Sequence, residues 1–169
     1  KILNFNMGKI IYLTNFKEKD FSFENINQPR DFNYGIDLLA DKYELKTFDI
    51  GKLISQGNNY EKLLSKISFY LLGVYGTYTS KLKKFFSEIP QKSIIICSND
   101  GIGFCCLLMN NLLNKNFKIY ILAMGHYSKH FYQFKNPFLK VIRKISTNLL
   151  LRKCTKILFL GNEEQLYFQ

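Results

Sequence analysis

Five short runs punctuate this chain: KIIYLTN from Lys9 to Asn15, ELKTFDI from Glu44 to Ile50, SIIICS from Ser93 to Ser98, Lys118 to Met124, and Lys156 to Leu160. Each is too short for a globular helix. Most are β-branched and apolar at consecutive positions, the pattern of a strand buried on both faces of a parallel sheet. Parallel neighbours cannot be joined by tight turns, so each pair needs a long crossover.

The segments between the runs supply those crossovers. From Asp31, Tyr34, Ile36 or Leu38, Leu39 and Tyr43 recur at helical spacing. The same period returns from Tyr60 to Phe86, with Gly73 and Gly76 as points where a helix bends or breaks. FCCLLMNNLL follows the third strand, and Asn114 to Asn116 mark its turn. A helix from Pro137 to Lys153 precedes the fifth, with Pro137 suited to a first turn. Pro29 prevents a helix through Phe16 to Asn33, which reads as a long loop. Strands alternating with helices predict an α/β fold, a Rossmann-like parallel sheet with helices on both faces. At 169 residues and 47% hydrophobic content, one domain over residues 1–169 is expected.

In such sheets ligands bind beyond the carboxyl ends of the strands, which directs attention to three loops. They start at Asn15 and Phe16, at Ser98, and at Gly125. His126 follows a glycine that lets the backbone turn sharply at a strand end, and its near-neutral titration suits proton exchange or hydrogen bonding to a hydroxyl or phosphate. Asn99, Asp100 and Gly101 open the helix after SIIICS, where backbone N–H groups could receive an anion, but a simple N-cap explains the same residues. Asn99 to Gly103 lacks the third glycine of a dinucleotide fingerprint, so no nicotinamide cofactor is expected.

The net charge of +11, from 24 Lys and Arg against 13 Asp and Glu, draws the chain to anionic partners. The Pro137 to Lys153 helix places Phe138, Val141, Ile142, Ile145 and Leu149 on one stripe and Lys140, Arg143 and Lys144 on another. Those three cations are candidates for contact with an anionic membrane surface. Nucleic acid is disfavoured, because no RNA-binding or helix-turn-helix pattern interleaves the basic residues with aromatics. Cys97, Cys105, Cys106 and Cys154 have no C-x-x-C spacing and are expected as reduced thiols in a cytosolic protein, and with only His126 and His130 no metal site is expected. Ile67 to Tyr78, the longest apolar stretch, falls short of the roughly 20 residues of a spanning helix. A cytoplasmic protein, peripheral on the inner face of a membrane, is the expected location.

The order ILAMGH, basic amphipathic helix, then KILFLG into the capping-box pattern Asn162-Glu163-Glu164-Gln165 resembles the second half of the N-terminal domain of GT-B glycosyltransferases, especially the family-4-like group. KIIYLTN, GIDLLADKY with ELKTFDI, and SIIICSND extend the resemblance from Met7 onward. It implies an acceptor-side domain that precedes a second, nucleotide-sugar-binding domain, with the chain continuing past Gln169. By that resemblance His126 would be the catalytic-cleft histidine. Asn15, Phe16, Asn99, Asp100, Gly101, Gly125 and Ser128 would line the substrate side, and a saccharide or glycolipid would be the acceptor. Gln28-Pro29-Arg30-Asp31 stands where the family commonly carries a glycine pair. The alternative reading is a non-catalytic Rossmann-like module that binds an anionic membrane surface.

Overall fold

The computed structural model describes residues 10–14, 42–51, 53, 58–72, 79–123 and 136–159. Within them lie strands β1 (Ile10–Thr14), β2 (Leu45–Asp49), β3 (Ile94–Cys97), β4 (Lys118–Ala123) and β5 (Lys156–Phe159). The helices are α1 (Asn59–Leu72), α2 (Ser80–Glu88), α3 (Asp100–Leu113) and α4 (Pro137–Leu151). All five strands pair in parallel in the order β2-β1-β3-β4-β5. The chain is therefore an α/β protein with a Rossmann-like sheet, as the alternating runs predict.

The period of two sorts the central strands between two faces. Ile11 and Leu13 of β1, Ile95 and Cys97 of β3, and Ile119 and Ile121 of β4 share one core with Leu82 and Phe86 of α2 and with most of α3. Tyr12 and Leu122, with Leu45 and Ile96 against them, form a smaller cluster. Both positions of the alternation are thus apolar in β1, which explains its unbroken run. Each fully buried Ile or Leu adds about 1.5–3 kcal/mol relative to exposure. The crossover from β1 to β2 lies outside the described residues, as does the helix expected near residues 31–43.

Helix α3 sits deepest, with Ile102, Gly103, Phe104, Cys105, Cys106 and Leu107 buried in succession. A Cβ built on Gly103 would lie 2.6–2.8 Å from side-chain carbons of Ile121, so the absence of a side chain there lets the helix settle onto β4. The helix ends at Asn114, whose left-handed backbone (φ 49°) receives the closing turn. Nearby, Lys115 donates through Nζ to the carbonyl oxygens of Ser87 (2.6 Å) and Ile89 (2.8 Å), tying this turn to the end of α2.

Helix α1 starts with a reciprocal capping box. Glu61 N–H donates to Asn58 Oδ1 and Asn58 N–H donates to Glu61 Oε2, both at 2.9 Å. The other oxygen of Glu61 accepts from Ser80 N–H at 2.6 Å, so one carboxylate serves the starts of two helices. These backbone donors, Asn58 first, hold Glu61 below its ordinary pKa of 4.5. Helix α4 begins on Asn136 as N-cap with Pro137 in its first turn. It ends beside the start of β4, where Thr155 and Ile119 exchange hydrogen bonds at 2.9 and 3.0 Å. Its first turn therefore lies toward the carboxyl ends of the strands.

Candidate functional site

The strand order reverses at β1, which has β2 on one side and β3 on the other. The two strands stay paired to their carboxyl ends, and in an open parallel sheet the place beyond such a reversal is where a ligand is expected. Thr14 closes β1 and Ser98 follows β3, both 1% exposed. Their backbones are fixed by Ile50 N–H on Thr14 O (2.8 Å) and Ser98 N–H on Leu13 O (3.0 Å). Beside them, Gly51 N–H donates to Asp49 Oδ1 at 2.8 Å, turning the chain away after β2.

The hydroxyl of Ser98 is buried and has no hydrogen-bond partner among the described residues. An unsatisfied buried hydroxyl costs about 1–3 kcal/mol, which makes Ser98 a notable polar group at this strand end. Next to it begins α3. Asn99 is the N-cap and accepts from Ile102 N–H through Oδ1 at 3.0 Å. That side chain, a candidate for substrate contact, is thus engaged in the cap. Asp100 is buried in the first turn, where a carboxylate is favoured by the helix dipole, and Gly101 is half-buried next to it. The structure brings Asn99, Asp100 and Gly101 to one helix start. Asn15, Phe16, Gly125, His126 and Ser128 lie outside the described residues, as does Asn162-Glu163.

The basic helix differs from its expected layout at one residue. Lys140 and Lys144 are exposed, but Arg143 is buried, at 3% exposure. Its Nε donates to the carbonyl oxygen of Tyr70 at 3.4 Å, in the last turn of α1. Four carbonyls at a helix end lack intrahelical partners, and α1 has no basic residue of its own in that turn, so Arg143 serves as its C-terminal cation. Burial lowers the guanidinium's pKa from its ordinary value. Arg143 is therefore corrected from a membrane-surface residue to a link between α1 and α4.

Glu61 is the residue that the sequence reading did not single out, although Asn58-Asn59-Tyr60-Glu61 has the spacing of a capping box. It borders a shallow cleft with Ser80, Lys83, Lys84 and Ser87, yet its carboxylate is occupied by backbone N–H groups. The cysteines are equally inert: Cys97, Cys105 and Cys106 are buried and Cys154 is half-buried. Burial pushes the Cys105 and Cys106 thiols well up and that of Cys154 to about 11. Among the described residues no group of three or more His, Cys, Asp or Glu is arranged to hold a metal.

No protein family, curated protein or solved structure matches the chain. Its chemistry is accordingly read from this strand end and the helices alone.

Proposed function

We propose that this chain is the acceptor-side domain of a glycosyltransferase that moves a hexosyl group from a nucleotide-sugar to a polysaccharide or glycolipid acceptor. The observation that supports this reading best is the reversal of strand order between β1 and β3, with Ser98 beside the start of α3. Hydroxyls and helix-start N–H groups are the donors that sugar oxygens and phosphates require. In sequence, His126 follows Ala123, the last residue of β4, by three positions.

In the proposed reaction the acceptor hydroxyl oxygen forms a bond to the anomeric carbon as the bond from that carbon to the nucleoside diphosphate breaks. The hydroxyl proton passes to the imidazole of His126, and the leaving diphosphate carries away the electron pair. Most of the rate gain would come from positioning and from electrostatic stabilisation of the diphosphate. The donor would be held by a second domain, and no cofactor is needed.

The test is nucleoside-diphosphate release by the longest natural form of the protein, supplied with a panel of nucleotide-sugars and saccharide or glycolipid acceptors. Acceptor-dependent release that falls about 10²–10⁴-fold in His126→Ala is the expected result for loss of a general base. No release from any donor, or release unchanged in His126→Ala, overturns the reading.

A further inference from the structure

Helices α1 and α4 each carry an apolar stripe on the outside. Tyr60, Leu63, Ile67 and Tyr70 recur three or four residues apart along α1, and all are exposed. Phe138, Val141, Ile145 and Leu149 do the same on α4, so that the two stripes run from 46% exposure at Ile67 to 69% at Phe138. The buried residues among those described are polar, Glu61 and Ser68 on α1 and Arg143 and Thr147 on α4, while Leu64, Leu139, Ile142, Leu150 and Leu151 are half-buried. A surface helix normally buries its apolar stripe, and a set of apolar side chains this large facing outward marks an interaction surface.

Cations border both stripes. Lys62 and Lys66 on α1, and Lys140 and Lys144 on α4, are exposed next to the apolar residues in matching positions. The helices pack against each other, and Arg143 joins them through the Tyr70 carbonyl. The two faces therefore act as one surface.

The chemistry of that surface selects its partner. A second copy related by a twofold axis would bring a second set of the same four lysines into one interface. Nucleic acid would satisfy the lysines but gains little from Leu63, Ile67, Val141, Ile145 and Leu149. No described helix is long and apolar enough to cross a membrane. An anionic lipid surface accepts every part: aliphatic side chains at the headgroup–acyl boundary, tyrosine rings at headgroup level, and lysines on lipid phosphates. We infer that the outward faces of α1 and α4 together dock this domain flat on an anionic membrane. This holds whether or not the chain transfers sugar.

The test uses the whole chain with vesicles of phosphatidylcholine alone and of phosphatidylcholine mixed with phosphatidylglycerol. Sedimentation with the anionic vesicles only is expected. Binding falls about tenfold or more in Ile67→Glu/Ile145→Glu and in Lys140→Glu/Lys144→Glu, while Lys83→Glu/Lys84→Glu, of equal charge change on α2, keeps most of it. The sequence contains no tryptophan, so Phe138→Trp gives a single reporter whose emission shifts to the blue on anionic vesicles. Equal loss in both lysine pairs, an unshifted reporter, or a lipid-independent dimer abolished by Ile67→Glu overturns the inference.

Discussion

Arg143 lies under α4 with its Nε 3.4 Å from the carbonyl oxygen of Tyr70, so that a cation from one helix closes the end of another. A buried hydrogen bond involving a charged group contributes about 1.5–3 kcal/mol. Arg143→Ala is accordingly expected to lower unfolding free energy by that amount, read from urea denaturation. Lys144→Ala, one residue away and exposed, stays within about 0.5 kcal/mol of the parent.

The approach of α3 to β4 depends on Gly103. Gly103→Ala places a methyl group 2.6 Å from Cδ1 of Ile121, and overpacking of this kind costs about 1–3 kcal/mol. Ile121→Val removes that carbon. The double variant should therefore recover part of the loss, and a double-mutant cycle measures the coupling.

Glu61 makes stability depend on acidity. Its pKa is depressed by the N–H groups of Asn58 and Ser80, so the folded chain favours the carboxylate. The associated stability is present above the ordinary value of 4.5 and is lost as the pH falls through the lower folded value. The urea midpoint of the parent should exceed that of Glu61→Gln at neutral pH. The gap closes on acidification below 4.5.

Cys154 makes the opposite prediction on the alkaline side. Its thiol is raised from 9.0 to about 11 by burial, so its contribution to stability is present below 9.0 and lost as the pH climbs to about 11. At neutral pH the thiolate fraction is about a hundredfold below that of an ordinary cysteine. Iodoacetamide should label the native chain correspondingly slowly, and all four cysteines promptly once urea unfolds it.

The layered pattern was legible wherever one periodicity governed a whole segment. The run of Ile94, Ile95 and Ile96 marks a central strand, and Pro137 marks a helix start. The direction a helix faces was not legible. The cations of α4 all lie on its polar side in sequence, but Arg143 alone meets a helix end contributed from over seventy residues earlier in the chain. The start of α3 was legible, since Asn99 to Gly101 follow an apolar run. The Ser98 hydroxyl became notable only once the burial around it was known.

Strand β1 has a consequence for assembly. It lies between β2 and β3, and Ile10 pairs with both Leu45 and Ile94. The successive units β3-α3-β4 and β4-α4-β5 join neighbours in sequence, whereas β1 meets β3 only after a long excursion. Closing that excursion costs chain entropy before any contact repays it. The later part of the sheet can thus form from local contacts, while β1, earlier in the chain, must join it between β2 and β3.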